Sequence, residues 1–392
     1  MNNMMEPKIR FKGFEGEWET QSLSDHNFSI IAGGDVDKKL LQNNGKYPVI
    51  ANALTNDGIL GYYMDSFRVN GPAVTVTGRG DIGVAIARHY SFTPVVRLLS
   101  IKSNHNVDFL ANAINCYKAA KESTGVPQLT TAKLQEYRIP IPKEMDEENA
   151  IASYFTSLDS QISASTSLLA SLKQMKAASL QAMFPQEGET VPKIRFKGFE
   201  GEWKKVKLNS FAKRVTRKNS HLESTLALTI ASAHGLVSQI DYFNNLVVGS
   251  NIRNYYLLKR GEFAYNKSYS NGYPFGSVKR LDRYEQGILS TLYITFSIDN
   301  SISSDYLTHF FDTNLWHKEV AERAAEGARN HGLLNIGATD FMDINIWKPE
   351  SKAEQQAIAS YFTSLDRQIS LQSQRLEKLK QIKSACLDKM FV

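Results

Sequence analysis

Residues 150–159 read AIASYFTSLD, and residues 357–366 read AIASYFTSLD again. The likeness continues at a constant offset of 207, through Leu172-Lys173-Gln174 against Leu379-Lys380-Gln381 to Met183-Phe184 against Met390-Phe391. In the first copy Ile151, Phe155, Leu158, Ile162, Ser165, Leu169, Leu172, Lys176, Ser179 and Met183 step alternately by four and three, the heptad period of a coiled-coil seam. The second copy repeats it with Ile358, Phe362, Leu365, Ile369, Gln372, Leu376, Leu379, Lys383, Cys386 and Met390. Even the polar interruptions coincide, Ser165 with Gln372 and Lys176 with Lys383. The pattern predicts two long helices with matching seams. From about Glu147 to Phe184 the first is about 57 Å long at 1.5 Å per residue, and a seam of that length needs a partner. With a globular domain between them, the second helix returns beside the first by running antiparallel.

A second repeat opens each half. Pro7-Lys8-Ile9-Arg10-Phe11-Lys12-Gly13-Phe14-Glu15-Gly16-Glu17-Trp18 recurs without change from Pro192 to Trp203, at an offset of 185. The region between opener and helix is therefore 22 residues longer in the second half (207 − 185), and it has diverged almost completely. Four segments follow: a first domain over 1–145 with its opener at 7–18, a helix over 146–185, a second domain over 186–350 with its opener at 192–203, and a helix over 351–392. Two unchanged frames hold two different contents. Stability alone would not require the framed domains to differ, so function belongs to the contents.

Both variable regions have the same order of parts. Residues 45–101 alternate apolar and polar between turns, as in Ala73-Val-Thr-Val-Thr and Val84-Ala-Ile-Ala-Arg, and read as short strands. A helix over Asp108–Tyr117, a loop over Ser123–Gln128 and an apolar stretch over Tyr137–Pro142 follow. The second region gives strands from about Ala227 to Phe296, one helix from Asp305 to about Ala324, a loop over Gly327–Asn335, and Ile344–Pro349. Ser351 and Glu354 have the spacing of a capping box, and Pro185 stops the first long helix. The fold class expected is α+β: two similar domains joined by two long helices in an antiparallel coiled coil, with pseudo-twofold character.

Composition sets outer limits. A hydrophobic content of 42% and a charged content of 22% are ordinary for a globular protein. The apolar runs are too short to span a bilayer, and the first residues lack the basic-then-apolar form of a secretory signal, so no membrane role and a cytoplasmic location are expected. Two cysteines, one in each half, support neither a disulfide framework nor a thiolate metal site. Net charge is +6 with a pI near 9.0, compatible with a polyanion but mild. Seven basic residues and no acidic one lie between Lys204 and Lys218.

Gly78-Arg79-Gly80-Asp81-Ile82-Gly83 matches G-x-G-x-x-G, but a dinucleotide fingerprint must open a helix, and Val84-Ala-Ile-Ala-Arg alternates like a strand. A glycine-rich hairpin turn with Arg79 at its tip is the expectation. No phosphate loop, nucleophile elbow, metal-ligand spacing or Asn-Pro-Pro-aromatic run is found, so catalysis, a metal site and a bound cofactor are not expected of this chain. Polar, aromatic-rich loops carry the chemistry used against base edges and phosphates. The candidate DNA-binding residues are Arg79, Lys121, Ser123, Thr124 and Gln128 in the first half, and Lys205, Lys267, Tyr269, Asn271, Arg329, Asn330 and His331 in the second.

Taken together, the openers, the Gln128-Leu-Thr and Ile139-Pro-Ile-Pro142 approach, the Gly327–Asn335 loop and the Glu354-Gln-Gln-Ala-Ile-Ala359 helix start resemble the specificity subunits of type I restriction-modification enzymes along essentially the whole chain. The resemblance implies two target-recognition domains that read the halves of a split site in double-stranded DNA. It also implies helices that dock two methyltransferase subunits, with restriction and translocase subunits joining through the complex. Ile151, Phe155, Leu158, Ile162, Leu169, Leu172, Ile358, Phe362, Leu365, Ile369, Leu376 and Leu379 form the helix seam in that reading. S-adenosylmethionine, ATP and Mg would then reside on partner subunits. Glu148-Asn149 stands where the second half has Gln355-Gln356, which leaves the two docking sides open to difference. A non-catalytic coiled-coil scaffold with two protein-binding domains is the alternative.

Overall fold

The computed structural model describes residues 6–117, 128–232, 234–244, 251–324 and 334–391. The chain divides into two compact units, Met1–Ser167 with Ser373–Val392, and Leu168–Gln372.

The first unit contains strands β1 (Glu19–Ser22), β2 (Phe28–Ala32), β3 (Tyr47–Ile50), β4 (Ile59–Tyr63), β5 (Ala73–Thr77), β6 (Ala85–Arg88), β7 (Thr93–Pro94) and β8 (Leu98–Ser103). Helices α1 (Val107–Cys116) and α2 (Thr131–Gln135) follow, then β9 (Arg138–Ile141) and the start of α3 (Met145–Ala182). An antiparallel sheet has the order β2-β8-β5-β6, a smaller mixed sheet has the order β4-β3-β7 with β3 and β7 parallel, and β1 pairs with β9. Alternation along β5 and β8 turns Val74, Val76, Leu99 and Ile101 into a core that also takes Phe109, Leu110 and Ile114 from α1 and Ile151 and Phe155 from α3. Asn106 caps α1 by accepting from the backbone N–H groups of Asp108 and Phe109.

The second unit contains β10 (Lys204–Lys207), β11 (Ala212–Arg214), β12 (Leu228–Ala231), β13 (Gly235–Ser238), α4 (Gln239–Phe243), β14 (Tyr256–Lys259), β15 (Phe263–Asn266), β16 (Ser277–Arg280), β17 (Gln286–Leu289) and β18 (Ile294–Ile298). It continues with α5 (Ser304–Phe310), α6 (His317–Arg323), α7 (Ala338–Met342), β19 (Asn345–Lys348) and the start of α8 (Lys352–Met390), whose end from Ser373 belongs to the first unit. Its sheet β11-β18-β15-β16 and its ribbon β10-β19 reproduce β2-β8-β5-β6 and β1-β9. Part of the extra length of this half lies between β11 and β18, where the ribbons β12-β13 and β14-β17 and helix α4 stand, and part lies between α5 and β19, where α6 is added.

One expectation is corrected here. The single helix from Asp305 to about Ala324 is two, because Thr313 Oγ1 donates to the Phe310 carbonyl at 2.7 Å and accepts from Leu315 N–H at 3.3 Å, drawing the backbone out of the helical ladder. Asp312, in the same turn, points to Lys176 of α3 and Lys279 of β16, both at 3.0 Å.

Each opener is fastened to a helix start by the same interaction. Arg10 makes a bidentate pair with Glu147, Nε to Oε1 and Nη2 to Oε2 both at 2.7 Å, while Arg195 pairs with Glu354 at 2.7 and 2.8 Å. Trp18 packs edge-on against Phe109 and Phe391; Trp203 does so against Phe184 and Tyr306. Ile9 N–H donates to Lys389 O at 3.0 Å, and Ile194 N–H to Ala182 O at 2.8 Å. The first opener thus packs on the end of α8 and the second on the end of α3.

Within each unit the helix segments run antiparallel. In the first, Tyr154 meets Cys386 and Asp159 meets Lys383; in the second, Ser179 meets Tyr361 and Lys176 meets Asp366. Ile151, Phe155, Leu158, Leu172, Ile358, Phe362, Leu365 and Leu376 are buried, and Ile162, Leu169, Ile369 and Leu379 are half-buried, as the heptad pattern requires. Glu148 and Gln355 are also buried. Glu148 accepts from His105 Nδ1 at 2.8 Å and from Asn106 N–H at 2.9 Å, and Gln355 accepts from Ser303 N–H at 2.8 Å. At these two positions the difference is a choice of internal cap support, while the neighbouring Asn149 and Gln356 are exposed.

The first opener and the end of α8 lie in one unit, in the relation that Pro185–Val191 bridges covalently in the other. Joining Phe391 to Pro7 through a copy of those seven residues, and opening the chain between Glu187 and Gly188, is expected to give a folded protein within about 1 kcal/mol of the parent. Urea unfolding of the permuted chain checks this, and a permuted chain that does not fold would contradict it.

Candidate nucleic-acid interface

In the first unit four segments converge at one end of the sheet. The glycine motif is the hairpin turn between β5 and β6, with Gly80 and Gly83 at φ +76° and +80°; no helix follows it, as expected. Val84 N–H donates to Thr77 Oγ1 at 3.0 Å, closing the turn. A Cβ on Gly78 would stand 2.2 Å from the carbonyl oxygen of Arg97 and 2.8 Å from that of Leu129, so the hairpin, the turn before β8 and the chain before α2 are in close backbone contact. Leu129 N–H donates to Gly78 O at 3.0 Å. Asn52 adds a fourth segment, accepting from Gly78 N–H at 2.9 Å and donating to Val96 O at 3.0 Å. Arg79, Arg97 and Gln128 are exposed on this edge.

The second unit builds the same edge from different residues. Its β15–β16 hairpin closes with Tyr273 N–H donating to Ser270 O at 2.8 Å, and it presents Tyr269 and Asn271 to solvent. Leu334 N–H donates to Lys267 O at 2.9 Å, and the Lys267 ammonium donates to Ile336 O at 3.5 Å. The half-buried Lys267 therefore ties the hairpin to the chain before α7.

The structure thus unites Arg79 with Gln128 in one unit and Lys267, Tyr269 and Asn271 in the other. Lys121, Ser123 and Thr124, and likewise Arg329, Asn330 and His331, lie outside the described residues. Lys205 stands apart from these edges on β10, exposed, with its ammonium 5.0 Å from the Trp347 ring centre. The basic run around it is mostly committed within its unit. Lys204 pairs with Glu350, Lys207 with Asp343 and Arg217 with Glu262, while Arg214 and Lys218 face the Tyr256 ring. Asn52 and Arg97 were missed, since no glycine marks the turn that carries Arg97.

Among the described residues one cluster has metal-ligand chemistry: His309, Asp312 and Asp366, whose ligand atoms lie within 4.8 Å of one another. The ammonium of Lys176 lies 3.0 Å from Asp312 and 2.7 Å from Asp366, and Lys279 holds the other Asp312 oxygen. The carboxylates are already neutralised by lysines, and the group is an ion-pair network. Burial opposes ionisation of Asp312, but His309, Lys279 and Lys176 overcome it and hold the carboxyl well below the usual range.

The family model described as the type I restriction modification DNA specificity domain matches residues 15–174. A type I specificity subunit of Mycoplasma pneumoniae is 31% identical over 141 residues, 35% of this chain and 39% of that protein. Another from that organism, described as a C-terminus, is 34% identical over 114 residues, 27% of this chain and 79% of that protein. The chain belongs to the type I specificity subunits. It is similar in fold to the crystal structure of a type I restriction-modification system S subunit from M. genitalium, with a TM-score of 0.66 at 15% identity over 99% of each chain. It spans 39% and 51% of the length of the first two curated relatives.

In this specificity subunit Gly78→Ala must push two carbonyls aside, at a cost of about 1–3 kcal/mol. A lowered thermal midpoint, with the edge loops losing protection in hydrogen exchange, is the expected result; an unchanged midpoint would contradict the close packing. For Asp312 the folded pKa is depressed, so its contribution is full above the unfolded value and is lost as pH falls below about 4. Urea midpoints measured from neutral to acid pH should fall less steeply for Asp312→Asn than for the parent, from a lower starting stability.

Proposed function

We propose that this chain is the DNA-reading subunit of a type I restriction-modification complex, each unit reading one half of a bipartite, asymmetric site in double-stranded DNA. The observation that carries the reading is the pairing of duplicated frames with dissimilar edges. Arg10–Glu147 and Arg195–Glu354 are the same clamp, while the loops at the sheet ends present different side chains. Asparagine, glutamine, arginine, lysine and tyrosine on those loops are the groups that read base edges and hold phosphates.

In this reading the long helices dock two methyltransferase subunits, and restriction and translocase subunits join through the complex. This chain supplies specificity, and its partners supply S-adenosylmethionine, ATP and Mg chemistry. Among the described residues no helix is long and apolar enough to cross a membrane, and the cytoplasm is the location this role requires. Lys121, Ser123, Thr124, Arg329, Asn330 and His331 would add to the two edges, and Lys205 would contact a phosphate.

Exchange of residues 19–142 for another first variable region is expected to change one half-site of the methylated motif and leave the other intact. Methylome sequencing of cells carrying the complete system reads this directly. A change in both half-sites would refute independent readout by the two units.

A further inference from the structure

We propose that the turn leading into β8 in the first unit and into β18 in the second is a base-reading position, where Arg97 takes a guanine edge in one half-site and Leu292 meets a thymine methyl in the other. The inference rests on the function proposed above and names residues that carry it.

Leu98 N–H donates to Val95 O at 2.9 Å, closing a four-residue turn with Arg97 in third place at φ +71°. Glycine is the ordinary residue for a positive φ there, and an L side chain is strained. Non-glycine residues held in such conformations concentrate where a site requires the side chain. Among the described residues the Arg97 side chain has no hydrogen-bond or ion-pair partner. Arg97 is exposed beside the exposed Val96, whereas Arg88, nine residues earlier, is buried against Thr75, Tyr90 and Asp57.

Sheet register places this turn on the edge already described. Thr77 pairs with Leu98, so one further step sets Gly78 opposite Arg97, in agreement with the contact between them. In the second unit Tyr265 pairs with Ile294, and two further steps set Lys267 opposite Leu292. The corresponding turn is closed by Tyr293 N–H donating to Ser290 O at 3.2 Å. Leu292 is 62% exposed, more than any other large hydrophobic residue among those described. An exposed leucine is ordinary by itself; this one occupies the place of Arg97 in a repeated architecture. Arginine is bidentate to guanine O6 and N7, and apolar side chains contact the thymine methyl. One position with two chemistries fits two unlike half-sites.

The test uses the complete system in cells, with methylome sequencing for wild type, Arg97→Gly, Arg97→Lys and Leu292→Ala, and thermal unfolding of each purified complex. Arg97→Gly should relax a guanine requirement at one position of one half-site, on the order of tenfold to a hundredfold. Its melting midpoint should hold or rise, because glycine suits the turn. Arg97→Lys should relax the same position less, and Leu292→Ala should relax a thymine in the other half-site only. An unchanged motif, a loss uniform over all sequences, or a lowered midpoint in Arg97→Gly would each overturn the inference. A wild-type system that methylates no bipartite motif would instead overturn the proposed function itself.

Discussion

The interaction on which the rest depends is the buried carboxylate at the start of each long helix. Glu147 and Glu354 are each 1% exposed, and a carboxylate so deeply desolvated persists only beside a fixed cation. Arg10 and Arg195 supply it as a two-pronged fork, and their remaining N–H groups reach the carbonyls of Glu15 and Gly16, and of Glu200 and Gly201. The opener must therefore curl around its own arginine. Gly13 and Gly16 at φ +106° and +83°, and Gly198 and Gly201 at +94° and +83°, permit that path. Because β1 and β10 begin just after the opener and pair with the strands that feed α3 and α8, the clamp also fixes the ribbon at the base of each sheet. Ser351 caps α8 by accepting from Glu354 N–H at 3.3 Å. The glutamate side chain turns to Arg195 and leaves the capping box half made.

The polar interruptions of the helix seam have a comparable role. Lys383 pairs with Asp159 in one unit and Lys176 with Asp366 in the other, while Tyr154 meets Cys386 and Tyr361 meets Ser179. A charged pair at a seam position weakens packing relative to leucine but penalises every register except one. In the second unit Asp312 extends the pair toward the sheet, joining α3, the break between α5 and α6, and β16 in one network. The break that ends α5 early is thus what brings a carboxylate to Lys176.

The frame was legible in the sequence because it is written twice. Coincident interruptions at Ser165 and Gln372, and at Lys176 and Lys383, marked equivalent seam positions. The hairpin at Gly78 was legible too, since Val84-Ala-Ile-Ala-Arg alternates with period two and cannot open a helix. What stayed hidden depends on which partner each side chain finds. Thr313 bonding to its own backbone splits an apparently continuous helix, and basic residues that looked like a free run are engaged by Glu350, Asp343, Glu262 and aromatic rings. Glu148 and Gln355 looked like surface differences and are internal caps. The candidate edge was half legible. Its members come from segments far apart in sequence, and only sheet register sets Gly78 opposite Arg97 and beside Leu129.

The contrast between fixed frames and divergent edges follows from the kind of bond that holds each. The clamp and the seam are made by side chains, so Arg10, Glu147, Trp18 and Phe155 cannot change without breaking a contact that the unit needs. The edges are held largely by backbone, Leu129 N–H to Gly78 O in one unit and Leu334 N–H to Lys267 O in the other, with side-chain bonds added by Asn52 and Lys267, and a backbone hydrogen bond is indifferent to the side chains beside it. The limits are steric: Gly78 and Gly276 have carbonyl oxygens 2.2 and 2.0 Å from where a Cβ would stand. At the other positions, Arg79 against Ser268 or Arg97 against Leu292, the same backbone carries different chemistry. A scaffold fixed through side chains and an edge fixed largely through main chain leave most edge positions free to differ, which lets one frame present two unlike faces.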